Sequence, residues 1–340
     1  MHINFVWPGT FDADKAHHRR YREVSIDGCK LIGRGAKGAV YRYDDELVIK
    51  VNDQKNTFHD VEREIALSRK TFVMGIPTAI PFGIVSVKAS SPEGPSVLTL
   101  AKTTAAQIQD LNRGTTDRYG AMYELVESET ISRYIAGSPG QVDTYARIMA
   151  ELAHTIHAIE ASGNDFPEAV ERLRTYIEGG VGRVDRALAK KCMGLVNEIS
   201  VRKTLLHGDF HTGNVFLQDG EPLLIDMDRF SAGHPIAEIS DLYYFYVVLG
   251  EDDPKMAERF KGFSYETSRQ FFQRFLAHYL ETEDEARLRA VREKASIVSY
   301  SRMIRKIYRR HGLTDGDREK IEHYRLKIAA LVDRLDTILY

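Results

Sequence analysis

Cysteine is scarce: the chain has 340 residues and two cysteines, Cys29 and Cys192, far apart in sequence. That count excludes a disulfide framework and fits a reducing cytoplasm, with both thiols read as small packing residues rather than nucleophiles. Long apolar runs are also absent. Nothing approaches the ~20 apolar residues of a membrane span, and the most apolar stretch, Leu242–Leu249, reads as part of a buried core helix. Neither charge dominates: 47 basic residues stand against 49 acidic ones, a formal net charge of −2. A nucleic-acid partner demands a concentrated basic surface, so that class is set aside. The opening MHINFVWPGTFDADK lacks the basic start and sustained apolar segment of a signal peptide. No internal repeat is found.

What is there is ordinary for a globular enzyme: 43% apolar and 28% charged residues. The length exceeds one ordinary core and fits a large bilobal unit or two domains. Residues 20–51 alternate like strands, punctuated by glycine, and predict three antiparallel strands around a glycine-rich turn. Residues 57–73 predict a helix with Val61, Ile65, Leu67 and Phe72 near one face, stopped by Gly75 and Pro77. Strands follow at 80–87 and 120–126. Between them, 90–119 is polar and longer than a hairpin needs, an insertion or a mobile loop. After residue 126 the apolar spacing turns helical, as in Val142, Tyr145, Ile148, Leu152, Ile156 and Ile159. The expected organisation is an α+β chain: residues 1–125 form a small β-rich lobe with one main helix, and 126–340 a larger, mostly helical lobe.

Three motifs carry chemistry. The first is Gly33-x-Gly35-x-x-Gly38-x-Val40. In dinucleotide-binding folds such glycines open a helix; here Val40-Tyr41-Arg42-Tyr43 continues as strand, which suits backbone N–H groups laid over ATP phosphates. The second is Lys50, twelve residues after Gly38 in an apolar strand. A lysine there is costly unless paired, and Glu64 or Glu62 is the candidate partner, Glu64 preferred. The third is LLHGDFHTGNVFL (205–217) followed by LLIDMD (223–228). Asp209, after a strand, can accept the proton of an attacking hydroxyl or orient it. Asn214 offers a neutral oxygen and Asp226 a charged one, a set economical enough for magnesium. His207, Asp209 and His211 alternate in a way that a zinc site also could, but the loop explains Asp209 without zinc.

His-x-Asp-x-x-x-x-Asn followed by Ile-Asp-x-Asp resembles the aminoglycoside phosphotransferase and choline kinase family, of protein-kinase-like fold. HGDFHTGNVF…LLIDMD…GHPIAEISDL is especially similar to bacterial members of unassigned substrate, and the resemblance spans roughly residues 27–280. It implies Asp209 as catalytic base, Asn214 and Asp226 as magnesium ligands, and Lys50 with Glu64 on the phosphates of ATP, with GTP left open. It places the adenine on the backbone of Glu124-Leu125-Val126. It gives His207 a structural role, leaves Asp228 between holding metal-bound water and forming a turn, and makes Asp241 a brace for the catalytic-loop backbone.

Protein kinases carry a long activation segment ending in a docking signature. Here fourteen residues separate Asp226 from Asp241, no such signature appears, and Gly208 stands where a protein kinase has arginine. The acceptor is therefore expected to be a small molecule such as an aminoglycoside, amino alcohol or sugar. Two acidic runs, Glu251–Asp253 and Glu281–Glu285, and a basic helix with Arg302, Arg305, Lys306, Arg309 and Arg310 all read first as solvated faces. The rival readings are a non-catalytic nucleotide-binding scaffold and an AMP-transferring enzyme.

Overall fold

The computed structural model describes residues 22–35, 38–52, 58–88, 118–161, 166–199, 204–310 and 312–340. The 90–119 segment falls almost wholly outside these, as do the first 21 residues and the tip of the glycine turn. The described residues divide into two compact units. One holds those up to Lys70 with Ala79–Leu125; the other holds Thr71–Thr78 with Val126–Tyr340.

The first unit is a six-stranded sheet in the order β1-β5-β6-β4-β3-β2. Its strands are β1 (Arg22–Ser25), β2 (Lys30–Arg34), β3 (Gly38–Arg42), β4 (Leu47–Asn52), β5 (Pro81–Lys88) and β6 (Arg118–Glu124). The 20–51 region therefore supplies four strands, not three. β1 leaves its sequence neighbours and runs parallel to β5, where Val24 joins Val85 and Val87 in the core. Helix α1 (Phe58–Val73) covers one face of the sheet, with Val61 and Ile65 on Ala121. The strand period of two then decides the side of each residue. Ile49, Val51 and Met122 pack into the cluster on the far face, so Lys50 and Tyr123 point to the α1 face.

The second unit is mainly helical. It contains α2 (Ile131–Gly137), α3 (Val142–His157), α4 (Ala169–Gly179), α5 (Arg186–Asn197), α6 (Ile236–Tyr243), α7 (Pro254–Lys261), α8 (Tyr265–Tyr279), α9 (Glu285–Tyr308) and α10 (Asp315–Val332). Side-chain caps fix several starts: Asp185 for α5, Asp253 for α7, Ser264 for α8, Asp284 for α9, and a capping box of Thr314 with Asp317 for α10. Fully buried Phe271, Phe272 and Phe275 of α8 anchor the core. Two small sheets sit among the helices: β7 (Thr204–Leu206) pairs with β10 (Ser231–Gly233), and β8 (Val215–Gln218) with β9 (Glu221–Leu224). After α6 the chain makes a π turn, Tyr244–Val248, within the stretch read as a plain buried helix. Such turns are rare and cluster at functional sites.

The three glycines of the first motif differ in what the fold asks of them. A Cβ on Gly38 would lie 2.1 Å from the Val51 carbonyl oxygen, whereas one on Gly35 would meet no described atom within 4 Å. Gly38→Ala should therefore cost roughly 1–3 kcal/mol of stability, the usual price of overpacking. Gly35→Ala should unfold within about 0.5 kcal/mol of the parent, as surface changes do. Urea titrations of the two variants measure the difference, and equal destabilisation would contradict the β3–β4 close approach.

Candidate active site

In the first unit the Lys50 ammonium donates to Glu64 Oε1 at 2.8 Å, and the side chains are 17% and 4% exposed. Tyr123 also donates to Glu64 Oε1, at 3.1 Å, and Ser68, one helical turn from Glu64, lies 3.2 Å from the Tyr123 hydroxyl. Glu62 faces His59 instead, at 3.3 Å. A buried charge left without its partner costs ~3–5 kcal/mol, so the pair holds Lys50 in one place. Gly33 sits beside a register shift between β2 and β3, and Gly35 donates its N–H to the Gly38 carbonyl at 2.9 Å. At the end of β6 the Glu124 N–H bonds the Ile80 carbonyl, and the Leu125 N–H bonds that of Glu46. Val126 begins the second unit.

In the second unit β7 (Thr204–Leu206) leads into the loop that carries Asp209. His207 is fully buried; its Nε2 lies 3.1 Å from the Ile225 carbonyl, so that nitrogen carries the proton and Nδ1 accepts the Asp209 N–H at 3.3 Å. Both ring nitrogens are thus engaged without a metal. Gly208 has φ +78°, and a Cβ there would stand 2.3 Å from the Arg229 carbonyl oxygen, so only glycine fits. Asp209 is 21% exposed, with Arg229 Nη1 3.7 Å from its Oδ1. The far end of the loop is tied down too: the Thr212 N–H donates to the Tyr246 hydroxyl at 2.8 Å, and Tyr246 donates to Thr212 Oγ1 at 2.9 Å.

Asn214 and Asp226 are brought together by the β8–β9 hairpin. Val215 pairs with Leu224, and the Ile225 N–H bonds the Asn214 carbonyl at 3.0 Å, so Asn214 stands one residue from Asp226 across the ladder. The Asn214 amide nitrogen donates to the Asp209 carbonyl at 3.0 Å, which turns Oδ1 the other way. Asp226 has φ 65° and ψ 59°, a left-handed conformation uncommon outside glycine and concentrated at functional sites. An oriented amide oxygen, with a carboxylate-bearing residue one ladder position away, is a donor pair of the kind a hard divalent cation takes. Asp228 lies half-buried in the following 3₁₀ turn, Met227–Arg229.

Asp241 does not brace the loop; Glu238 does. Glu238 is 1% exposed and accepts the N–H of Gly208 at 2.6 Å, that of His207 at 3.3 Å, and His157 Nε2 at 2.9 Å, while His157 Nδ1 meets the Tyr279 hydroxyl at 2.7 Å. Glu238 lies in the first turn of α6. Three residues on, about 4.5 Å up the axis, Asp241 meets different neighbours: Arg302 Nη1 at 2.5 Å and Arg172 Nη2 at 3.3 Å. Burial pushes the Asp241 carboxyl above its ordinary range, against the pull of both arginines. Nor is the α9 basic face wholly solvated. The Arg302 side chain is 13% exposed and stacks on Tyr244 and Phe245, at 4.1 and 4.6 Å. The sequence signal for Glu238 is a carboxylate inside a largely apolar tract, residues 235–242.

Burial pushes the Glu238 carboxyl up, yet the hydrogen bond and charge of His157, with His207 and the Gly208 N–H, bring it below its ordinary value of 4.5. Its stabilisation is therefore present above about pH 4.5 and lost as pH falls through the lower folded-state value. Glu238→Gln turns an amide N–H toward backbone donors and should cost roughly 2–4 kcal/mol at neutral pH. Chemical denaturation of parent and variant should show that gap narrowing below pH 4.5; a gap independent of pH would contradict the ionised carboxylate.

A search of curated protein sequences returns no match. Solved structures do match in fold. The aminoglycoside phosphotransferase APH(2'')-Ib with ADP bound shares 15% identity over 95% of this chain and 99% of its own, at a TM-score of 0.55. Amicoumacin kinase hAmiN, in complex with AMP-PNP, Ca2+ and Ami, gives 15% identity, 97% and 95% coverage, and 0.56. A choline/ethanolamine kinase family protein from Mesorhizobium loti gives 10%, 90% and 88%, and 0.52. These likenesses establish the α+β kinase-like fold. The profile of the phosphotransferase enzyme family named APH matches residues 28–291, most of the chain and the loop of Asp209 with it, and the chain belongs to that family.

Proposed function

We propose that this protein transfers the γ-phosphoryl group of ATP, with magnesium, to a hydroxyl of a small molecule. The observation that carries the reading is the Asp209–Asn214–Asp226 arrangement: the Asn214 amide is anchored to the Asp209 carbonyl, and the β8–β9 ladder sets it beside Asp226. The nucleotide and Ca2+ in the structural relatives support the same choice of cofactors.

The acceptor oxygen attacks the γ-phosphorus, the bond to the β-phosphate oxygen breaks, ADP leaves, and the hydroxyl proton passes to Asp209. Arg229 flanks Asp209 and helps to aim its carboxylate. Asn214 Oδ1 and the Asp226 carboxylate would hold magnesium, which when bound neutralises phosphate charge. Lys50, steadied by Glu64, engages the phosphates, and the backbone of Glu124 and Val126 receives the adenine. Phosphoryl transfer passes through a loose transition state, so positioning and electrostatics supply most of the catalysis. The lysine, base and both metal-ligand candidates are all present, which favours a catalyst over a nucleotide-binding scaffold. The mass gained by the product, a phosphoryl or an adenylyl group, separates phosphotransfer from AMP transfer.

ATP with magnesium should raise the melting temperature, since a ligand at a hundredfold excess over Kd adds about 2.7 kcal/mol. Lys50→Met should shrink that shift. Asp209→Asn should lower turnover by roughly 10² to 10⁴, the worth of a positioned general base, while the nucleotide shift persists. An Asp209→Asn enzyme of near-parent turnover would remove Asp209 from the mechanism.

A further inference from the structure

Lys261 closes α7 with its ammonium in an unusual place. The residue is 3% exposed, and its Nζ is buried without a hydrogen-bond partner among the described residues. Three aromatic faces surround it: Tyr246 and Phe260, each at 4.4 Å, and Phe245 at 4.7 Å. Ring faces attract a cation but offer no oxygen atoms to it. Burial pushes the Lys261 amine well below the ordinary lysine range, with Asp209 acting against that shift and Arg302 adding to it, so an arriving anion would be what favours the charged form. Tyr246 is also the ring whose hydroxyl holds Thr212 in the catalytic loop, so the cage is built into the support of the candidate base.

Other cations gather on the same side. Arg229 Nη1 is 3.7 Å from Asp209. Arg172 lies against the loop, its Nη1 3.1 Å from where a Cβ of Gly208 would be, and its Nε and Nη2 are buried without hydrogen-bond partners among the described residues. Asp241 is already shared by Arg172 and Arg302. The donors left over around Asp209 are therefore cationic. Most carboxylates of the two acidic runs already pair or cap helices. Glu251 pairs with Lys327 at 2.7 Å, Asp252 accepts from Tyr324, Asp253 caps α7, Glu283 pairs with Arg274 at 3.2 Å, and Asp284 caps α9.

We propose that the acceptor is an anion, a small hydroxylated carboxylate or phosphate ester whose charged group is received by Lys261 and Arg229 while its hydroxyl meets Asp209. The inference rests on the phosphotransferase reading and narrows its substrate class. Phe260 is 49% exposed, and it is the cage wall that an entering anion would turn aside. A polycation would instead meet Arg229 and Arg172, like charges that suppress its binding.

The test uses the full chain with AMP-PNP and magnesium, so that the nucleotide site is filled first. Two skeletons are titrated in charge-matched sets by thermal shift. One set is D-glycerate and glycerol 3-phosphate, glycerol, and 3-amino-1,2-propanediol; the other is gluconate and glucose 6-phosphate, glucose, and glucosamine. At least one anion should bind about tenfold or more tightly than the neutral and cationic members of its set, and carboxylate against phosphate separates the two sources of charge. Lys261→Met should weaken that anion by about tenfold or more, as truncating one partner of a buried charge pair does. Lys261→Arg, which keeps the charge, should recover most of the affinity. Tighter binding of the cationic members, no binding of any anion, or an anion affinity indifferent to Lys261→Met would each overturn the proposal and leave phosphotransfer standing. Absence of any AMP-PNP shift would instead strike the phosphotransferase reading, and this inference with it.

Discussion

A single buried carboxylate organises the second unit. Glu238 is almost without solvent contact, and a charge so placed is tolerable only when hydrogen bonds replace its water. The replacements come from three directions: two successive backbone N–H groups of the catalytic loop, His157 at the end of α3, and through His157 the hydroxyl of Tyr279 on α8. None of these can shift without leaving the charge undersolvated. The start of α6, the ends of α3 and α8, and the backbone before Asp209 are therefore fixed by one requirement. Phosphoryl transfer rewards such rigidity, because its rate depends on where the base and the phosphate ligands stand.

Around this anchor the protein uses charge in two ways. Some pairs are closed: Lys50 with Glu64, and Asp241 with Arg302 and Arg172. They fix where each side chain stands. Others are open, with more donors than acceptors, and they collect beside Asp209. The π turn after α6 links the two kinds. It presents Tyr244 and Phe245 to Arg302, Phe245 and Tyr246 to Lys261, and the Tyr246 hydroxyl to Thr212. One irregular turn thereby supports a closed pair, an open cation and the loop.

The parts legible in the sequence were those set by short-range spacing. Asp209, Asn214 and Asp226 fall within one stretch whose strand and loop lengths fix their relation, and the period-two alternation of β4 sent Lys50 to the helix face. Partners chosen across the fold were harder to read. Val24 alternates like any strand residue, and nothing local says that β1 pairs with β5 at the opposite edge. Asp241 and Glu238 lie three residues apart near the start of α6, and only the phase of α6 against the loop decides which of them reaches the backbone. Arg302 was read as solvated since α9 carries basic residues all along its length, while the Tyr244 and Phe245 rings that bury it come from a turn with no signature of its own. The cage around Lys261 joins α7 to that same turn, again a long-range matter.

Gly208 closes a path of descent. Its left-handed backbone and the Arg229 carbonyl oxygen at its side leave no room for even a methyl group. Protein kinases that answer to phosphorylation of their own activation segment keep an arginine at the equivalent place to receive the phosphate. An arginine cannot be accommodated here, because its first extra atom would displace the 3₁₀ turn that carries Arg229. A backbone of this shape therefore has no place for that phosphate receiver beside Asp209. The constraint is steric and lies in two backbone segments, so it holds whatever side chains surround the loop.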